Sequence, residues 1–319
     1  MLPLSDYFIM HFGSEKRKLK SYMKRFFFKG PLSEVIVYYN EIGYHLGGSV
    51  FIVTGANSSI GKLLISLLES RKALVVKIVK SSKTLGENEH QCDLSDPKQV
   101  LDFCNKFKEK HSKLNGIINL ASGLYETYET NDLGIEKTLA TNVLAPYLLF
   151  KNLLPLIKFT TGARILNVVN PLMLTVKMDP GDLNSKTIYY ARNRFLQCER
   201  YRVELWHHLA EEYPEVRFQC VTPGFVRTEG LEKKFPLFFS KYGYRAFPRK
   251  IFRDDKTASM FVLWCLITAK VSSIRNGALV FDKAVQQEYI FQKHETLAEE
   301  HKRFTSNFYN LLESRVILK

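Results

Sequence analysis

From Ser49 onward, short apolar runs alternate with longer stretches whose apolar residues recur every three or four positions. SVFIVT (49–54), ALVVKIV (73–79), NGIINLA (115–121), ARILNVV (163–169), VRFQCVT (216–222) and GALVF (277–281) have the length and β-branched content of buried strands. Ile60 to Glu69 places Leu63, Leu64, Leu67 and Leu68 on one helical face, and Pro97 to Lys110 follows a cap-like Ser95-Asp96-Pro97 start. Leu133 to Phe150, Ile188 to Tyr213 and Lys256 to Thr268 carry the same helical period. Strand–helix alternation of this kind predicts an α/β fold, a doubly wound parallel sheet with helices on both faces, over residues 49–285.

Three segments break the pattern. Residues 224–255 are aromatic, basic and poorly periodic. They follow a strand end, where ligands bind in open α/β sheets, and so read as a substrate-side lid. Residues 286–319 read as a C-terminal helical tail, and residues 1–48 as a basic amphipathic extension. Within 15–29, Leu19, Tyr22, Met23, Phe26 and Phe27 fall at helical spacing, with Lys16, Lys20 and Lys24 on the other side. Such a helix suits a membrane interface or a protein partner.

Composition narrows the class. The chain has 319 residues and 45% hydrophobic content, enough for a substantial core. Its five cysteines (Cys92, Cys104, Cys198, Cys220, Cys265) form no CxxC pair and no His/Cys cluster. The expectation is therefore no disulfide framework, no metal, and an intracellular, reducing compartment. A net charge of +14 suits an anionic partner such as a phosphorylated cofactor, a membrane surface, nucleic acid or an acidic protein. No recognition motif accompanies the charge, so nucleic acid is set aside. No uninterrupted apolar run reaches a membrane span; TASMFVLWCLITA (257–269) is too short and reads as a buried helix. The lysine-rich start gives only a weak pointer to a mitochondrial or membrane-peripheral address.

The first motif with chemical content is TGANSSIG, Thr54 to Gly61, between the first strand and the first helix. A helix N-terminus offers free N–H groups and the positive end of a dipole to a phosphate. Gly55 and Gly61 permit the tight turn and close helix–strand packing, with Asn57 and Ile60 in the same loop. The motif resembles the TGxxxGxG loop of the short-chain dehydrogenase/reductase family, with Ser59 where the middle glycine belongs. Asp93-Leu94 resembles the family's Asp-Leu pair beside the adenine. NLAS (119–122) stands in the place of NNAG, keeping Asn119 and Ala121. TNV (141–143) resembles the helix motif with the catalytic asparagine, here Asn142. PGFVRT (223–228) matches PGxxxT, the loop that grips the nicotinamide end, through Pro223, Gly224, Val226 and Thr228. RFFFKG (25–30), VFIVTGANSSIGK (50–62), KMDPGDLN (177–184) and the strand–FDK ending (281–283) add a likeness to the family's member twelve group.

The resemblance implies a Rossmann-type fold and a nicotinamide dinucleotide. Lys80, Ser81, Ser82 and Lys83 follow the second strand with no acidic residue, which favours NADP(H) over NAD. It also implies a catalytic serine, tyrosine and lysine. Alignment of ARILNVVN puts Asn170 in the serine position, and Tyr190 and Arg194, four apart, in the tyrosine and lysine positions. An asparagine cannot donate and accept through one hydroxyl, and an arginine does not relay protons as an ammonium does. Two altered members of a cooperating set predict a catalytically impaired relative that still holds nucleotide, an accessory or structural subunit of a larger assembly. The alternative is an active NADP-dependent oxidoreductase on a hydrophobic carbonyl or alcohol, with Tyr190 as acid.

Overall fold

The computed structural model describes residues 45–82, 84–229, 232, 253–268, 273–281, 284–286, 289 and 296–316. The amphipathic segment 15–29, Lys83, the FDK ending beyond Phe281 and most of the lid segment lie outside the described residues.

Eight strands form one sheet in the order β3-β2-β1-β4-β5-β6-β7-β8. They are β1 (Val50–Thr54), β2 (Leu74–Val79), β3 (Glu89–Gln91), β4 (Gly116–Asn119), β5 (Arg164–Val168), β6 (Arg217–Val221), β7 (Leu279–Phe281) and β8 (Ala284–Val285). Every pairing is parallel except β7 with β8. The six strands expected from the apolar runs are all present. The short β3 and β8 lack a run of their own, since they sit at the sheet edges and are half-buried to exposed. From β1 the chain winds outward to β2 and β3 and then returns to β4 on the other side. That reversal opens a crevice at the carboxyl ends of β1 and β4.

Helices cover both faces. On one face α1 (Ser59–Glu69) meets α5 (Asp255–Ile267), and Leu64, Leu68, Phe261 and Trp264 pack on Val53, Val75 and Ile118. On the other face lie α2 (Pro97–Lys110), α3 (Lys137–Lys158), α4 (Ala191–Glu212) and α6 (Ala298–Arg315). α1 begins where the Ser58 side chain accepts the Gly61 N–H, and α2 where Asp96 accepts from Lys98 with Pro97 in the first turn.

Two helices depart from the sequence pattern. α3 runs past Phe150 to Lys158, through Pro155, because its apolar face packs into the core over that whole length. It is apolar and long enough to cross a membrane by composition, yet 72% of that window is buried inside the fold, as befits a core helix. α6 lies within the helical tail expected over 286–319, and it is docked into the core, which the sequence pattern does not indicate. Its Phe304, Phe308 and Leu312 are buried, as is Val316 just beyond its end, with Phe304 stacked on Tyr201 of α4 and Phe308 edge-on to Tyr147 of α3.

Candidate functional site: a cleft at the sheet reversal

The crevice is a cavity of about 760 Å³, within the usual range for cofactor sites. One end is lined by Lys80, Ser81, Cys92, Asp93, Leu94 and Tyr125, the middle by Gly55, Asn57, Ser58 and Ile60, and the far end by Asn170, Phe195, Glu199 and the loop Pro223, Gly224, Phe225, Val226 and Thr228. Of the residues expected to hold a dinucleotide, Gly55, Asn57, Ile60, Lys80, Asp93, Leu94, Ala121, Pro223, Gly224, Val226 and Thr228 line this cavity, from loops spread over more than 170 positions.

The middle is shaped by close backbone approach. Gly55 has φ +67°, and a Cβ there would lie 2.8 Å from the Ala121 nitrogen and 2.9 Å from its Cα. Thr54 ties the same two strand ends together, its Oγ1 accepting the Ala121 N–H at 3.1 Å. Gly61 is packed against the turn, where a Cβ would meet the Gly55 carbonyl at 2.5 Å. Ser59 does not line the cleft; its hydroxyl is buried without a hydrogen-bond partner. Its place in the phosphate-binding loop, taken from the resemblance, is corrected. The first helical turn points that side chain into packing, and Asn57, Ser58 and Ile60 form the wall.

At the first end Lys80 bridges Asp93 at 3.2 Å and donates to the Tyr125 hydroxyl at 3.2 Å. Burial works against its charge, but Tyr125 and Asp93 outweigh that and hold its pKa above the ordinary lysine value. Asp93 accepts from both the backbone N–H and the hydroxyl of Ser95, at 2.9 and 2.8 Å. Burial would raise its pKa; those bonds and Lys80 hold it below the usual carboxylate range.

Asn142 and Asn119 act from behind the lining. Asn142 lies in a π turn (Ala140–Leu144) within α3 and clamps Gly123, accepting its N–H and donating to its carbonyl at 2.7 Å each. Asn119 is buried, donates to Asn167 at 2.9 Å, and its carbonyl accepts from Arg202 at 3.0 Å.

The tyrosine–arginine pair expected at the far end is elsewhere. Tyr190 stands just before α4, is 71% exposed and does not line the cleft. Arg194 is 1% exposed and also outside it, donating to Glu136 at 2.8 Å and to the Leu183 carbonyl. Both assignments are corrected. Glu136 caps the start of α3 by accepting from Thr138 and Leu139, so Arg194 completes a buried structural pair. The neighbouring Tyr189 donates to the Tyr125 carbonyl at 2.6 Å, and burial pushes its phenol up to about 12.

The α4 residues that do face the cleft are Phe195 and Glu199, also four apart, and sequence reasoning missed both. Glu199 is 1% exposed and ties α4 to the ends of β4 and β5. One carboxylate oxygen accepts the Asn170 N–H at 2.9 Å; the other accepts from Arg202 at 3.1 Å and from Ser122 at 3.4 Å. Asn170 is in the cleft as expected, but its side-chain oxygen is committed to the Leu172 N–H at 2.9 Å. Among the described residues no group of three His, Cys, Asp or Glu is placed to hold a metal.

Comparison with known proteins agrees with this geometry. The family described as short chain dehydrogenase matches residues 49–172. Dehydrogenase/reductase SDR family member 12 of Homo sapiens is 28% identical over 264 residues, covering 76% of this chain and 80% of that protein. The ligand-free aldohexose dehydrogenase of Thermoplasma acidophilum superposes with a TM-score of 0.59 at 16% identity, over 75% of this chain and 94% of that one. RhlG of Pseudomonas aeruginosa, solved as an NADP active-site complex, gives 0.58 at 15% identity, over 74% and 94%. At these identities the solved structures speak to the fold alone.

Proposed function

The chain belongs to the short-chain dehydrogenase/reductase family, and from that premise we propose that it is a dinucleotide-holding member that does not carry out the family's hydride transfer. The observation that carries the reading is the pair on α4 facing the cleft: Phe195 and Glu199 stand four apart, the spacing that the resemblance gives to its tyrosine and lysine, and supply neither a phenol nor an ammonium. Bound NADP(H) would supply a hydride, and reduction of a carbonyl then also needs a proton at the developing alkoxide. Phe195 has no exchangeable proton. Glu199 is tied to Asn170, Arg202 and Ser122, and the Asn170 oxygen caps a turn. Losing a single well-placed donor costs on the order of 100- to 1000-fold in such chemistry.

The holding function has better support. The cleft suits NADP(H) in size, in the glycine approach at Gly55 and in the helix N-terminus at Ile60. Lys80 would meet a 2′-phosphate after releasing Asp93, Leu94 would lie beside the adenine, and Pro223 to Thr228 would close on the nicotinamide end. The alternative, an active oxidoreductase using Tyr190, has no support from that residue's position. We extend the proposal to an accessory role beside a membrane or protein partner, motivated by the amphipathic pattern of 15–29.

Thermal shift of the purified full chain with NADPH and with NADH tests the holding role. A larger stabilisation by NADPH is expected, and no shift with either would overturn it. Sedimentation with anionic vesicles tests the docking role, where neutralising Lys16, Lys20 and Lys24 should abolish association.

A further inference from the structure

Glu199 sets a negative charge at the end of the cleft that carries the Pro223 to Thr228 loop, and that has a consequence for what the cleft prefers to hold. Three charged side chains line the cavity among the described residues: Lys80, Asp93 and Glu199. The first two pair with each other at the end reached from β2 and β3. At the opposite end, beside Asn170, Phe195 and Pro223 to Thr228, Glu199 is the only charged group in the lining among the described residues.

Its partner does not cancel it there. Arg202 is wholly buried behind Glu199, contributes nothing to the lining, and directs its other nitrogen to the Asn119 carbonyl at 3.0 Å. The ion pair therefore presents its negative end to the cavity and its positive end to the floor of the sheet. Both members are fixed by further hydrogen bonds, so this orientation is held rather than sampled. Phe195, one turn earlier and 1% exposed, keeps an apolar wall next to the carboxylate and limits the water that would screen it.

A nicotinamide ring is cationic when oxidised and neutral when reduced. We infer that this cleft holds the oxidised dinucleotide more tightly than the reduced one, with Glu199 as the discriminating residue. The inference rests on the dinucleotide-holding reading and deepens it. The domain becomes a binder whose occupancy follows the ratio of oxidised to reduced cofactor, a property that requires no turnover.

The test is calorimetric titration of the full chain with NADP⁺, with NADPH and with 2′-phospho-ADP-ribose, which lacks the nicotinamide. The expected result is NADP⁺ binding about tenfold more tightly than NADPH, as one partly shielded charge contact provides. In Glu199→Gln the two affinities should converge to within roughly twofold, while that for 2′-phospho-ADP-ribose stays put. NADPH binding as tightly as NADP⁺ to the unmodified chain overturns the inference and leaves the holding role intact. Failure of all three ligands to bind overturns the holding role itself. Should Glu199→Gln not fold, the two dinucleotide affinities of the unmodified chain decide the matter, and Glu199→Asp, which keeps the charge, must retain the NADP⁺ preference.

Discussion

Glu199 and Arg202 are both buried, and a buried pair punishes the loss of one member far more than it rewards the presence of both. Glu199→Lys places an ammonium against the Arg202 guanidinium. The expected outcome is a loss of about 3–5 kcal/mol in chemical unfolding, with no gain of reductase activity even alongside Phe195→Tyr. Tyr190→Phe, by contrast, removes an exposed hydroxyl and should change stability by less than about 0.5 kcal/mol. Gly55→Ala combines a strained φ with a Cβ pressed on the Ala121 backbone; it should cost roughly 1–3 kcal/mol and abolish dinucleotide binding in the same titration. Gly55, Asn57 and Lys80 were legible in the sequence because backbone freedom and charge at a strand end act locally. Tyr190 misled because spacing alone does not say which turn of a helix reaches the cleft.

Element geometry contains the missing signal. β6 rises about 3.3 Å per residue, so its five residues climb ~17 Å to the cleft. A helix rising 1.5 Å per residue needs about 11 residues for that height. Counted back from Glu212, this places the level of the cleft near residue 200, where Glu199 stands, and leaves Tyr190 well above it. α4 was also hard to read because its charges are inside. Arg194, Arg200 and Arg202 pair with Glu136, Glu204 and Glu199, all buried, so its polar positions do not mark a solvated face. Glu204 joins α4 to the C-terminal helix, accepting from Thr296 at 2.8 Å and meeting His301 at 3.1 Å. Burial would raise its pKa, but His301, Arg200 and Thr296 lower it below the ordinary glutamate value. A depressed folded pKa contributes stability that is present above the unfolded value, about 4.3, and lost as pH falls through the folded one. Hydrogen exchange should therefore show α6 losing protection on acidification below about pH 4, and Glu204→Gln should blunt that dependence.

For the whole molecule, the alternation of apolar runs and helical periods was enough to give the doubly wound sheet, because burial of a parallel sheet on both faces dictates that pattern. The docking of α6 was less visible. Phe304, Phe308 and Leu312 mark an apolar face, but the sequence does not say that α3 and α4 receive it. In the proposed reading binding and chemistry separate along the cleft: Lys80, Asp93 and Leu94 at one end would meet a phosphorylated nucleotide, while Phe195 and Glu199 line the other. The most direct test is single-turnover mixing of the purified full chain, saturated with NADPH, against a panel of hydrophobic aldehydes and ketones, following nicotinamide absorbance. The expected result is saturable NADPH binding with no oxidation above the protein-free rate. Carbonyl-dependent oxidation of NADPH above that rate would contradict it.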